Sequence, residues 1–216
     1  FDEDRDEIIT RMSDDDIWTI IVGTNPTTSQ EAVELAQKNK HLFATVGIHP
    51  TDTEEPFDKK LFSKLAEEPS VVGIGECGFD YFRTDRDESK KTQQPLFEQH
   101  IELALEHDLP LMLHMRTSKG SMDAYEDALD ILESYHARTG DKVRGNSHFF
   151  AGDTTIARRF LDIGFTISFD GPITFTTDYD DVVRYVPQDM LLAETDAPFA
   201  APDPHRGKRN EPHYVI

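Results

Sequence analysis

The side chains able to do chemistry in this sequence are scattered along it, yet each closes a short apolar run. Glu76 ends Val-Gly-Ile-Gly-Glu, His114 ends Leu-Met-Leu-His, His148 ends Gly-Asn-Ser-His, and Asp196 follows Leu-Leu-Ala-Glu-Thr. Imidazole nitrogen and carboxylate oxygen are the donors that borderline divalent ions such as zinc and manganese take. One histidine in a strand is ordinarily a hydrogen-bonded core residue, and one aspartate at a strand end is ordinarily a helix cap. Four runs that end in the same small class of ligand are better explained by a shared metal site. Two ions bridged by such a carboxylate can activate a water and stabilise the oxygens of an in-line phosphoryl displacement. Glu76 lies between Gly75 and Gly78, whose bare backbone leaves room for an ion or a phosphate. Asp196 suits both ligation and acceptance of a proton from the attacking water. Cys77, next to Glu76, should point to the opposite face of its strand, which sets it aside as a ligand.

Positive charge is scarce around these positions. Arg116 lies just past His114, and Arg206, Lys208 and Arg209 crowd a loop past Asp196. Guanidinium groups bind phosphate oxygens in bidentate fashion, which makes Arg116 and Arg206 candidate substrate contacts. For Lys208 a solvated loop, or a pairing with Glu194 or Glu211, is an equal alternative. His49, after Val46-Gly47-Ile48, is a third candidate contact with substrate or a cap on its strand. His205 and His213 carry no comparable strand-end signal.

The elements that must position these groups follow from the hydrophobic pattern. Strands are expected at 18–22, 42–48, 71–76, 109–114, 143–148, 165–169 and 190–194. Helices are expected at 30–39, 57–67, 91–107, 123–138 and 153–162, the last capped by Asp153. Strands alternating with helices imply a parallel sheet with right-handed crossovers. An open doubly wound sheet and a closed (β/α)8 barrel both fit that alternation. In a barrel all strand C-terminal ends converge on one face, whereas distant strands of an open sheet cannot share one small site. The shared donor types therefore favour the TIM-barrel-like α/β class, as a single domain over residues 1–216. Seven strands where eight close a barrel lead to the expectation that the first strand is lacking. Residues 1–12, with Ile8, Ile9 and Met12 on one side, read as a helix that should follow such a strand. The final helices are expected to be lacking too, because the chain stops at Tyr214-Val215-Ile216, where one would be starting.

Composition narrows the function classes. Lys and Arg total 22 against 42 Asp and Glu, a formal charge of −20, which disfavours tight non-specific binding of a polyanion. Bound divalent ions would invert that field locally, so phosphate chemistry stays open. The single cysteine excludes an internal disulfide, and no apolar run approaches the roughly 18 residues of a membrane span. A cytoplasmic location without membrane association is expected, although the chain opens on Phe1 rather than Met. No obligate protein partner is evident.

Six segments together resemble the TatD family of metal-dependent deoxyribonucleases, within the metal-dependent hydrolase superfamily of (β/α)8 barrels. They are Val46-Gly47-Ile48-His49-Pro50, Gly75-Glu76-Cys77-Gly78-Phe79-Asp80 with Tyr81, Leu109-Pro110-Leu111-Met112-Leu113-His114 with Arg116, Ser147-His148-Phe149-Phe150-Ala151-Gly152, Glu194-Thr195-Asp196-Ala197-Pro198 and Arg206-Gly207-Lys208-Arg209-Asn210-Glu211-Pro212. The resemblance runs from Phe1 to Ile216. It implies a hydrolase that cleaves DNA phosphodiesters with two divalent ions (Mg2+, Mn2+ or Zn2+), ligated by Glu76, His114, His148 and Asp196. Glu76 would bridge the ions and Asp196 would accept the proton. Family members typically begin with a strand carrying a His-x-His pair, and nothing of that kind precedes Phe1; His100 stands where a Gln is common. Two alternatives stay open: a related barrel hydrolase acting on another ester or amide, such as an aminoacyl-tRNA ester, and a catalytically silent fragment.

Overall fold

Each strand pairs with the next strand in sequence, and always in parallel. The structure, a computed structural model, describes residue 1 and residues 3–216. Its sheet contains β1 (Thr19–Val22), β2 (Leu42–Val46), β3 (Val71–Asp80), β4 (Leu111–Arg116), β5 (Gly145–Ser147), β6 (Thr166–Phe169) and β7 (Leu191–Ala193), in that spatial order. The helices are α1 (Arg5–Asp14), α2 (Pro26–Lys38), α3 (Lys59–Ala66), α4 (Arg86–His107), α5 (Asp123–Thr139), α6 (Thr154–Asp162) and α7 (Asp180–Tyr185). A doubly wound sheet reverses its strand order at a switch point. Here the order never reverses, so right-handed crossovers keep the helices on one side and the sheet winds as a TIM barrel does. Among the described residues β1 and β7 are the two edges of a seven-stranded sheet.

All seven expected strands form, with shifted ends. Two helices, α2 and α4, start earlier than expected for a local reason. Asn25 and Thr28 make a reciprocal capping box with Pro26 in the first turn, which begins α2 four residues before its apolar period becomes visible. Asp85 accepts the Glu88 N–H and starts α4 at Arg86 in the same way. Asp153 caps α6 as expected, accepting from Thr155 and Ile156 at 2.9 Å each. The six-residue α7 buries only Val182 and is too short to show a period. Near the C-terminus a 3-10 turn spans Pro212–Val215.

The core lies mainly where the helices cover the sheet. Phe79 on β3 meets Phe97 on α4 edge-on at 5.5 Å, and Phe150 packs against Tyr125, Phe160 and Phe169. Each such ring, fully buried, contributes roughly 1.5–3 kcal/mol. His100 on α4 is also fully buried. Its Nε2 accepts the Ile48 N–H at 2.9 Å and its Nδ1 donates to Leu96 O at 2.7 Å. Burial pushes its pKa down to about 4, so the ring is neutral and fastens α4 to the segment that carries His49.

Strand β3 departs most from expectation, because it continues through Glu76 to Asp80. Its register against β4 slips by one residue between Ile74 and Cys77, a bulge centred on Gly75-Glu76. A bulge of this kind re-aims a side chain. Gly75 and Gly78 hold φ of +141° and +140°, and a Cβ on either would run into the backbone carbonyl of Met112 or His114. Glycine at these two places is what lets β3 lie against β4 while Glu76 turns out of the alternation. The far end of β3 is clamped by Gln93 on α4, which accepts the Asp80 N–H at 2.9 Å and donates to Asp80 O at 3.0 Å. One residue further on, the Tyr81 hydroxyl donates to buried Asp127 on α5 at 3.0 Å. Arg86 and Lys90 on α4 bind the same carboxylate.

Candidate metal centre

Three of the four expected ligands meet at the C-terminal end of the sheet. The bulge on β3 carries Glu76, β4 carries His114, and the segment after β5 carries His148. Glu76 Oε1 lies 2.7 Å from His114 Nδ1 and 3.4 Å from His148 Nε2. One ligand atom from each residue lies within 4.8 Å of the others. Donors about 2.1 Å from a shared ion stand at most about 4.2 Å apart, so small movements would close this set around a divalent cation.

Each imidazole turns its second nitrogen outward to another carboxylate. His148 Nδ1 is 3.1 Å from Glu194 Oε1, which also accepts the Phe149 N–H at 2.5 Å. His114 Nε2 is 3.2 Å from Asp80 Oδ2, and Asp80 Oδ1 accepts the Phe82 N–H at 3.0 Å. An outer acceptor that takes one ring N–H leaves the inner nitrogen bare for a metal, the arrangement that tunes histidine ligands. Asp80 and Glu194 were not singled out from the sequence. The only signal for either was its place in a strand-end motif, Asp80 closing Gly-Phe-Asp and Glu194 preceding Thr195-Asp196.

Asp196 lies outside the three-residue set but faces it. Burial, followed by the negative charges of Glu76 and Glu194, raises its carboxyl to about 6, against the opposing pull of His148 and His114. Its backbone N–H donates to Asp170 Oδ2 at 2.7 Å, which fixes the loop after β7 to the end of β6. Asp170 itself is raised to about 7, by burial first and then by Asp196 and Glu194. For Glu76 burial acts upward, but hydrogen bonds from His114 and His148 outweigh it and hold the carboxyl well below the usual range. Burial acts downward on His148, and its contacts with Glu194 and Glu76 overcome it, lifting the imidazole well above its usual value. Glu76, Asp80, Glu194 and Asp196 thus surround two imidazoles in a largely water-excluded pocket, where a bound cation would relieve their mutual repulsion.

The expected substrate contacts separate. His49 joins the cluster: its ring lies 4.3 Å from that of His114, edge-on. With Asp80 and His114 it forms a second set of donor atoms within 4.8 Å. The Thr51 N–H donates to His49 Nδ1 at 3.2 Å, so the neutral ring carries its proton on Nε2. Burial and the neighbouring His114 both lower its pKa and keep it neutral. Arg116 and Arg206 are exposed and rest on aromatic rings, and the Arg116 charge also reaches Asp80 of the cluster. Cys77 is fully buried with Sγ towards Met112 O, and burial drives its thiol well up, in keeping with its exclusion as a ligand. Arg209 pairs with Asp4 and Glu211. Among the described residues no helix is long and apolar enough to cross a membrane.

The family model described as TatD related DNase matches residues 1–216. The chain is 37% identical over 220 residues to the uncharacterized metal-dependent hydrolase YabD of Bacillus subtilis strain 168, covering all of this chain and 82% of that protein. It is 30% identical over 226 residues to the 3'-5' ssDNA/RNA exonuclease TatD of Salmonella typhimurium, again covering all of this chain and 82% of the relative. Among solved structures, the TatD homolog YjjV of Escherichia coli K12 superposes with a TM-score of 0.78 at 27% identity, over 92% of this chain and 74% of that one. A TatD family hydrolase from Entamoeba histolytica shares the fold, with a TM-score of 0.78 at 23% identity over 99% of this chain and 80% of the other.

Proposed function

We propose that this chain, which belongs to the TatD related DNase family of metal-dependent hydrolases, cleaves phosphodiester bonds of DNA at the cluster around Glu76. The observation that carries the reading is the paired geometry of His114 and His148. Both imidazoles approach the same Glu76 oxygen, and each is backed by its own outer carboxylate. The Salmonella relative is a 3'-5' ssDNA/RNA exonuclease, which supports a nucleic acid as the substrate.

In this reading two divalent ions, magnesium, manganese or zinc, would be held by Glu76, His114, His148 and Asp196. Glu76, whose Oε1 faces the two imidazoles, would be the ligand shared by the ions. Bound there, such ions would supply Lewis-acid charge to the phosphoryl oxygens and lower the pKa of water. Asp196 would take the proton of the attacking water, a role that a carboxylate facing the Glu76 cluster can serve. His49 offers a neutral Nε2–H to a phosphate oxygen. Arg116 and Arg206 supply the positive charge that a polyanionic substrate needs near so acidic a protein.

Metal analysis of the purified protein, combined with hydrolysis of defined single-stranded and double-stranded oligonucleotides, tests the proposal. Nucleotide release that depends on divalent metal and stops on chelation is the expected result. Turnover of aminoacyl esters or amides with intact oligonucleotides would refute it and select the related-hydrolase alternative.

A further inference from the structure

The ladder between β2 and β3 stops short of two residues of the metal centre. It ends where Val46 meets Ile74, so Gly47, Ile48, His49 and Glu76 must satisfy their backbone N–H groups elsewhere. The Glu76 N–H donates to Gly23 O at 3.2 Å, and the His49 N–H donates to Thr24 O at 2.8 Å. Two consecutive carbonyls at the exit of β1 thus hold the backbone of both residues. Between them along the chain, the Ile48 N–H goes to His100 on α4 and the Gly47 N–H donates to Ser29 Oγ at 3.2 Å.

The two carbonyls are fixed in turn by the first turn of α2. Thr28 Oγ1 accepts the Thr24 N–H at 2.9 Å and the Asn25 N–H at 3.0 Å, while Asn25 Oδ1 accepts the Thr28 N–H at 2.9 Å. Starting a helix takes less: Asp58 caps α3 and Asp85 caps α4 through one such bond each. The bond from Thr24 adds nothing to the helix and instead ties down the loop that carries the carbonyls. Ser29, the next residue of the turn, is fully buried, and its Oγ also donates to Gly47 O at 3.2 Å. Gly47 in turn lies so close to the bulge that a Cβ there would stand 2.8 Å from the carbonyl carbon of Gly75. The first turn of α2 therefore reaches Glu76 by two routes, one through Gly23 and one through Gly47 and Gly75.

We propose that Thr28 and Ser29 are positioning residues for the metal centre, setting Glu76 and His49 through the exit of β1 and the backbone of Gly47. Both act through backbone atoms, so their effect is on where the site residues stand. Ligating groups must be held within about 0.5 Å of their working geometry, and their supports decide whether they are. Without the two hydroxyls the carbonyls of Gly23 and Thr24 keep their place in the chain but lose their aim. This rests on the reading of Glu76 as a metal ligand and adds the residues that hold it in place.

The test uses the full chain and Zn2+, with affinity read by competition with a chromophoric chelator. Thr28→Val and Ser29→Ala remove the hydroxyls with little change of shape, and Thr28→Ser restores the first. Asp58→Ala, which uncaps α3, is the control for lost stability. Affinity should fall about ten-fold in Thr28→Val and in Ser29→Ala, the low end for lost supports around a metal ligand, and return in Thr28→Ser. Asp58→Ala should lose stability in urea and keep its zinc affinity. Wild-type affinity in Thr28→Val and Ser29→Ala overturns the proposal, as does an equal fall in Asp58→Ala. Ser29→Ala, one atom smaller than the wild type, carries the same comparison where Thr28→Val fails to fold. Amide hydrogen exchange of the metal-free protein gives a readout independent of zinc. The Glu76 and His49 N–H groups should exchange faster in Thr28→Val than in the wild type while other amides of β3 and β4 hold their rates; a uniform increase overturns the proposal. If the wild type binds no zinc, the metal reading falls, and exchange at these two amides decides the positioning on its own.

Discussion

Replacing Glu194 by glutamine removes one negative charge from behind His148 and keeps the shape of the side chain. Oε1 of Glu194 takes two donors, His148 Nδ1 at 3.1 Å and the Phe149 N–H at 2.5 Å. A hydrogen bond to a charged acceptor is worth about twice the roughly 1 kcal/mol of a neutral one, so each contact weakens by about 1 kcal/mol. The Phe149 contact is the same with or without an ion and appears as lost stability. The His148 contact makes the imidazole a poorer ligand, and losing such an outer partner costs about 10- to 100-fold in metal affinity. A proton opposes this. In the wild type Glu194 and Glu76 raise the His148 pKa, so a proton competes with the ion near neutrality, and Glu194→Gln relieves that competition. The loss in affinity should therefore be partly masked in neutral buffer and complete in alkaline buffer. Competition with a chromophoric chelator measures the affinity, and 15N shifts of the metal-free protein report which His148 nitrogen carries the proton. An alkaline affinity within two-fold of the wild type, with the fold intact, would refute the outer-carboxylate argument.

Other consequences are separable by assay. Asp196→Asn should leave thermal unfolding near that of the wild type while lowering single-turnover hydrolysis by about 10²- to 10⁴-fold, the usual contribution of a general base; a near-wild-type rate at saturating metal removes Asp196 from that role. Asp127→Ala strands the Tyr81 hydroxyl inside the fold, while Arg86 and Lys90 regain water, so urea denaturation should show a loss of about 2–3 kcal/mol. Burial acts upward on the Asp127 carboxyl, but Arg86, Lys90 and Tyr81 hold it below the ordinary aspartate value. Its contribution is thus present above that ordinary value and fades as pH falls through the folded one, and the acid limb of stability should flatten in Asp127→Asn. His100 has a folded pKa of about 4 against an ordinary 6.5, so stability should decline as pH falls through that window. His100→Gln, which can keep both hydrogen bonds, should abolish that decline in pH-dependent melts.

The amino-acid sequence by itself determined the alternation of strands and helices, because apolar period and caps such as Asp153 act within a few residues. It also determined which donor types end the strands, and the motifs around His49, Glu76, His114, His148 and Asp196 carry the family resemblance. Alternation by itself left the winding open and only the strand-end donors favoured a barrel; the tertiary structure decided it, since the strand order never reverses. It alone decided that Glu76 turns into the site, because Gly75 and Gly78 permit a one-residue slip of β3 against β4 but do not by themselves say where it falls. The outer partners were hidden for the same reason: Asp80 and His114 are 34 residues apart, and Glu194 and His148 are 46. A carboxylate shows in sequence as charge, whereas its role depends on which nitrogen it meets, and only the packing of distant strands brings that nitrogen within reach.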